Sequence, residues 1–530
     1  MNPRGTADCV PALRGLRQGC PMSPSLFNFF INDIFDPIGT HEATDVTIPQ
    51  NDGTLLHCPG LMFADDIVVL AESPEGLQQQ LDHVQLWASR WGMECGVSKC
   101  AAMLILPSHE SHLDPVAVLR SEGTWMLNNE NLPLERRYRY LGFEFTDDLS
   151  LTTHMNINRI KATQSFGSCQ RFLSNKSVPL AIRALAYKAM ILPILSWGSE
   201  LLPLDKTKFA LMTQTQNRQL RMLCGLRPNS TLGCPLAIGR ELNIPPFWVR
   251  AATSRIRLFS KAPSLKTWLN TLCQHDSKLP TTGTRPWILL TRRWLHRRIS
   301  DHGPASQPLH CWIRELQWAR SDERASTLSM ISYVRNGFVR GRHYLLSSPY
   351  DLIHQAGLLS LLRLRTGSFL TIQRMAQMRL ISPEFHNFCP FCEANEPESI
   401  EHLLVSCSRW VVFRSLHFGF DPELLNQLIQ FDRTEVSVLL LGGEIRGEST
   451  NIGHIFIDGD PITLRTIAFL EAIMSQRLQV INSLRQAWPP RVNARQGMTV
   501  LENGTELTGP GGSLPQGVLV GRNPTYPELG

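Results

Sequence analysis

The sequence predicts an α+β protein, with a small antiparallel sheet and its helices near the N-terminus and a mainly helical remainder. Three observations carry that reading. Short apolar runs bounded by turn residues cluster before residue 150. Apolar spacing then becomes helical over about 151–265 and again over about 346–490. A group of cysteines with one histidine interrupts the second helical stretch. At 530 residues and 43% hydrophobic content, the chain has room for about three packed domains.

The first legible segment is Arg14-Gly15-Leu16-Arg17-Gln18-Gly19-Cys20-Pro21-Met22-Ser23-Pro24, which runs into the apolar stretch Leu26 to Phe35. Ser23 and Pro24 read as an N-cap followed by proline in the first helical turn. Gly15 and Gly19 remove side chains where backbone could lie against a ligand. Next, Leu61-Met62-Phe63-Ala64-Asp65-Asp66-Ile67-Val68-Val69-Leu70 reads as two strands joined by a tight turn. Paired carboxylates between apolar runs are costly to keep ionised unless a cation meets them. Mg²⁺ suits such a pair, since it takes one or two carboxylates together with phosphate oxygens and water. Taken alone, Asp65-Asp66 is equally a polar turn.

The order of motifs adds a resemblance. The glycine loop, then Phe63-Ala64-Asp65-Asp66, then Gly92 to Lys99-Cys100, then Tyr140-Leu141-Gly142, resembles the later palm motifs of reverse transcriptases of the non-LTR, LINE-type retrotransposon group. The resemblance implies that Gln18, Gly19, Pro21 and Ser23 shape the pocket for nucleotide and template. It implies that Asp65 and Asp66 are catalytic Mg²⁺ ligands, that Lys99 acts near the leaving pyrophosphate, and that Tyr140-Leu141-Gly142 grips the primer. A solvated surface lysine is the competing account of Lys99. Residues 1–150 are then a partial palm, and an RNA template and a DNA primer are the implied partners.

Phosphoryl transfer by two metals about 4 Å apart needs acids from two separate strands. In the family the other acid lies well upstream of the glycine loop, beyond a fingers region. Here thirteen residues precede Arg14, and Asp8 is too close to the loop to substitute. Asp33 and Asp36 read as solvated helix-end acids. The expectation is a chain that begins within its palm, carries half of a metal site and does not polymerise alone. The alternative function is a non-catalytic RNA- or DNA-binding protein.

Residues 151–265 resemble the helical thumb of the same family, with Leu185, Met190, Leu192 and Leu195 recurring around Tyr187. A second amphipathic stretch runs from Gln214 to Leu223 and ends near Gly225. Arg159, Lys161, Arg171, Lys176, Arg183 and Lys188 are candidates for phosphate-facing charge. Residues 266–345 form a basic Arg/Trp-rich connection, in which Arg292-Arg293-Trp294-Leu295-His296-Arg297-Arg298 interleaves cations with an aromatic.

Within 346–490, Cys389, Cys392, His402 and Cys407 give C-x2-C-x9-H-x4-C, a spacing suited to tetrahedral, structural Zn²⁺. The segment also resembles the zinc-binding region that follows the thumb in LINE-type reverse transcriptases. His386 is a poorly placed competitor. A last helix, Ile462 to Trp488, carries an apolar stripe that fits a core face. Residues 491–530 form a Gly/Pro-rich tail without apolar periodicity, expected to be disordered. A net charge of +6 is compatible with nucleic acid. Thirteen cysteines without an N-terminal apolar leader or a membrane-length run fit reduced thiols and an intracellular location, nuclear or cytoplasmic, with no membrane partner.

Overall fold

The computed structural model describes residues 15–17, 19–36, 45–49, 54–106, 110, 112–202, 209–265, 270, 287–297, 307–323, 327–338, 345, 353–419, 430–444, 456–457 and 460–488. The chain divides into two compact units, residues 1–369 with 412–474 and residues 370–411 with 475–530. The tail 491–530 lies outside the described residues, as does Arg298 of the basic run.

The first unit opens with α1 (Ser23–Ile31), then β1 (Val46–Pro49), β2 (Leu55–Cys58), β3 (Gly60–Phe63), β4 (Asp66–Val69) and α2 (Pro74–Arg90). After these come α3 (Pro115–Glu122), β5 (Met126–Leu127), β6 (Glu130–Asn131), β7 (Arg137–Tyr140), β8 (Phe143–Thr146) and α4 (Leu151–Ser168). The strands pair as separate antiparallel hairpins, β1–β2, β3–β4, β5–β6 and β7–β8, where a single small sheet was expected. Hairpins this short are marginal in water by themselves. The β3–β4 and β5–β6 hairpins are supported by packing against α2, and the β7–β8 hairpin by α4.

α2 is well specified by its sequence. Ser73 Oγ accepts from the Gly76 N–H at 3.0 Å, and Pro74 opens the first turn. One face of the helix buries Leu81 with Val97, Leu119, Trp125, Leu127 and Leu132. Another buries Val84 and Trp87 with Ile31 and Ile34, and Met62, Ile67 and Val69 of the β3–β4 hairpin pack onto that cluster. The Trp87 indole donates to Asp33 Oδ1 at 3.0 Å, so the large ring enters the core without an unpaired N–H. Asp33 is thus more than a solvated helix-end acid.

Helices dominate the rest of this unit. A π turn over Tyr187–Ile191 breaks the α-helical phase. Leu192 and Leu195 are buried while Leu185 and Met190 face outward, so the apparent stripe is split between two faces. The amphipathic helix Ala210–Leu223 ends as its sequence predicts, with Gly225 left-handed at φ 67°. Phe247–Lys261, Trp287–His296 and Leu309–Glu323 share a core of Ile256, Leu295 and Ile313.

Among the described residues of this unit, Arg183, Arg255 and Arg365 are almost wholly buried and bind main-chain carbonyls. Arg183 donates to Leu223 O at 2.7 Å and Val178 O at 3.0 Å. Arg255 donates to Trp287 O at 2.8 Å and to Thr291 Oγ1 at 2.7 Å. Arg365 donates to Phe338 O at 2.8 Å and to Glu241 Oε1 at 2.9 Å. The Leu223 carbonyl, at the C-terminal end of its helix, has no partner within that helix, and a guanidinium offers five donors to meet such groups. Arg183 therefore does not face phosphate; it is 2% exposed.

In the second unit, Glu398 is fully buried and takes two bonds from Arg477, at 2.7 and 2.8 Å, and one from the Ile372 N–H at 2.6 Å. Ile372, Met375, Ala376, Ile381 and Ile481 form its apolar core. The last helix runs Ile462–Ala487, close to its expected bounds. Most of its stripe is buried, but Leu478 is 53% exposed. Among the described residues no helix is long and apolar enough to cross a membrane.

Candidate functional site

The Asp65-Asp66 pair stands at the tip of the β3–β4 hairpin. Phe63 pairs with Asp66, leaving Ala64 and Asp65 as a two-residue turn. Ala64 adopts φ 52°, the positive φ that tight hairpins demand. Met62 and Ile67 anchor the strands in the α2 core, while both carboxylates are exposed. The turn thus offers its carboxylate oxygens outward.

Two further predicted elements lie in the same neighbourhood. The Val97–Lys99 helical turn presents an exposed Lys99, whose carbonyl accepts a bond from the Tyr138 hydroxyl. Tyr138 and Tyr140 are half-buried on β7; burial pushes both phenols up, followed by Cys100 and then the Asp66 charge at Tyr138 and by the Asp66 charge at Tyr140. That charge therefore reaches both tyrosines. The β7–β8 turn is Leu141-Gly142, with φ of 48° and 77°, the double left-handed pattern of a type I′ turn.

The glycine loop is placed less fully. Gly19 is left-handed at φ 86° with open space around it, Pro21 is exposed, and Gln18 lies outside the described residues. Ser23 is not the N-cap: Met22 holds that position, and Ser23 Oγ instead donates to Arg17 O at 2.9 Å. The hydroxyl closes the loop on itself, which moves the cap by one residue. Among the described residues no third carboxylate, imidazole or thiol joins Asp65 and Asp66 in a metal-holding group.

Cys389, Cys392, His402 and Cys407 do converge. One ligand atom from each lies within 4.8 Å of every other, and the group is largely buried. The first pair sits on a tight turn in which the Glu393 N–H returns to Cys389 O at 2.9 Å. The second pair depends on a π turn, His402–Ser406. Five residues along an α-helix would rotate the side chains apart by about 140°. The i→i+5 bond from Cys407 N to His402 O, 2.8 Å, brings them to one side instead.

The electrostatics of the cluster suit a cation. A hydrogen bond shared with Cys407, and then burial, push the Cys389 thiol up to about 12. His402 is raised to about 9, chiefly by its bond to Cys389. A divalent ion bound here would displace the protons of these groups. His402 Nε2 faces Cys392 Sγ at 3.3 Å, while Nδ1 meets the Glu396 carboxylate at 3.1 Å. A carboxylate behind the imidazole is the usual support for a metal-bound histidine. Three sulfurs and one nitrogen fit Zn²⁺ and leave no open position. His386 lies outside the group, bonded to Asn387 Oδ1 at 2.9 Å.

Sequence reasoning missed Glu396 and Tyr138. Neither carries a spacing signal, because each acts through a neighbour that the fold supplies.

Comparison with known proteins identifies the class of the N-terminal segment. Residues 4–145 match the family described as reverse transcriptase (RNA-dependent DNA polymerase). The Retrovirus-related Pol polyprotein from type-1 retrotransposable element R2 of Nasonia vitripennis is 36% identical over 98 residues, 18% of this chain and 9% of that protein. The corresponding polyprotein from type-2 retrotransposable element R2DM of Drosophila melanogaster is 30% identical over 139 residues, 26% of this chain and 12% of that protein. The matches thus span about a tenth of those relatives' lengths. The matched segment is similar to the reverse-transcriptase segment of non-LTR retrotransposon proteins.

Proposed function

We propose that this chain contributes the later palm, the thumb and a zinc-binding region of a retrotransposon RNA-directed DNA polymerase, and that it binds an RNA template with a DNA primer. The observation that carries the reading is the exposed Asp65-Asp66 turn within electrostatic reach of Tyr138 and Tyr140. Asp65, with Asp66 beside it, offers one side of a Mg²⁺ site. Lys99 stands by for the pyrophosphate oxygens, the loop with Gln18, Gly19, Pro21 and Ser23 borders the nucleotide, and Tyr140-Leu141-Gly142 holds the primer end. In the family's reaction, two Mg²⁺ ions stabilise the attacking and leaving oxygens as the primer 3′-hydroxyl attacks the α-phosphate. One hairpin does not by itself cradle two such ions, and among the described residues no further acid joins it, so we propose that this chain does not extend a primer alone. Zn²⁺ on Cys389, Cys392, His402 and Cys407 is structural.

Iron-directed cleavage tests the metal assignment. Fe²⁺ in place of Mg²⁺, with ascorbate and peroxide, is expected to cut the backbone near Asp65 when primer–template is present. Asp65→Asn should abolish the cut. Cleavage that ignores this substitution removes Asp65 from the site.

A second reading, a non-catalytic nucleic-acid-binding protein, draws on the lack of a third ligand beside Asp65 and Asp66 among the described residues. It predicts binding that is strongly salt-dependent and indifferent to Asp65→Ala.

A further inference from the structure

The β7–β8 hairpin does not stand alone at its tip. A methyl group placed on Gly142 would lie 3.7 Å from Nε1 of Trp197, so the indole rests against the turn. Trp197 follows the short helix Leu192–Ser196 and is 55% exposed. An exposed tryptophan is ordinarily free to move with its loop. Here its main chain is held from both sides.

The clamp is built from α4. His154, one turn into that helix and 1% exposed, accepts from the Glu144 N–H through Nδ1 at 3.1 Å. Its proton therefore sits on Nε2, which donates to Trp197 O at 3.0 Å. Asn158, one turn further on, donates to the same carbonyl at 2.8 Å. The imidazole also stacks on Phe143 of β8, with ring centroids 3.9 Å apart. On the other side Gly198 is left-handed at φ 75°, and a methyl there would stand 2.6 Å from the Phe143 ring. Only glycine fits, so the backbone turns sharply and directs Trp197 past the hairpin.

The hairpin supplies matching charge. β7 reads Arg137-Tyr138-Arg139-Tyr140, and both arginines are exposed while both tyrosines are half-buried. The exposed arginines, on the face of β7 opposite the tyrosines and with Arg137 3.9 Å from Glu144, put positive charge on the same hairpin as the exposed indole of Trp197, a combination suited to a polyanion that also has flat bases to stack. We propose that Trp197 is a nucleic-acid contact, its indole stacking on a base of the primer strand where that strand crosses the Leu141-Gly142 turn. The proposal rests on the reading of this hairpin as the primer-holding element. His154 and Asn158 are positioning residues, since they act on the strand through Trp197.

Equilibrium binding of the 530-residue chain to a fluorescent RNA–DNA primer–template tests this, at several salt concentrations. Trp197→Ala should weaken binding about tenfold, the usual effect of losing one stacked base. The salt dependence should not change, and the melting temperature should stay near that of the parent, because the clamp grips the main chain. Trp197→Phe should restore most of the affinity. Leu141→Asp, which keeps a residue tolerant of the left-handed turn but adds negative charge, tests the hairpin separately. Weakening by both Leu141→Asp and Trp197→Ala supports the proposal. Weakening by Leu141→Asp alone overturns the role of Trp197 and leaves the hairpin reading intact. If neither weakens binding, the hairpin reading falls and the proposal falls with it.

Discussion

His402 and Glu396 face each other across 3.1 Å, imidazole Nδ1 to carboxylate, on the side of the ring turned away from the cysteines. This fixes the tautomer: with Nδ1 bound to the carboxylate, Nε2 is left for the metal. Glu396→Ala is therefore expected to lower Zn²⁺ affinity by about 10- to 100-fold without removing a ligand. Competition with a chromophoric chelator reads this directly. Equal affinity in the variant would show that the carboxylate contributes nothing to the site.

Arg365 and Glu241 form a different kind of pair, with neither side chain exposed and Nε to Oε1 at 2.9 Å. The Tyr333 hydroxyl adds a bond to the same carboxylate oxygen at 2.6 Å. Glu241→Ala would leave a guanidinium buried without its counter-charge, at a cost of about 3–5 kcal/mol. Asp114→Ala removes an exposed pair with Arg136 and the exposed cap of α3, and should cost clearly less. Urea unfolding of the two variants side by side checks the ranking. Similar losses in both would contradict it.

The His154 clamp carries a pH signature. Burial, outweighing the pull of the Trp197 carbonyl, lowers the imidazole pKa from its ordinary value of 6.5. The unfolded chain therefore takes up the proton first. The stability from neutral His154 is complete above pH 6.5 and is lost as pH falls from there through the lower folded value. His154→Gln, which never titrates, should show a shallower loss of stability between pH 7.5 and 5.5 than the parent. Identical slopes would mean that the ring takes up its proton equally in the folded and unfolded states.

How much of this was legible depended on whether the signal was local. The hairpin at Asp65-Asp66 and the helix Ala210–Leu223 with its Gly225 stop follow from neighbours in sequence, and both are found where the residues place them. The zinc-type cluster was legible from spacing, although the π turn that closes it was not, because Leu403 to Ser406 would equally form an α-helix. Arg183 looked like a surface cation because nothing near it announces the Leu223 carbonyl that receives it from forty residues away. The His154–Trp197 bond was invisible for the same reason. The sequence records which groups can pair; distant partners are chosen by packing.

The most direct test of the central claim is primer extension by the 530-residue chain itself. The protein is mixed with an annealed RNA template and DNA primer, deoxynucleotides and Mg²⁺, and binding and product length are read from the same samples. A stable complex and no added nucleotides are expected if, as proposed, Asp65 and Asp66 supply one side of a two-metal site. Extension that requires Mg²⁺ and disappears in Asp65→Ala would contradict that proposal, since a complete catalytic centre would then exist within these residues.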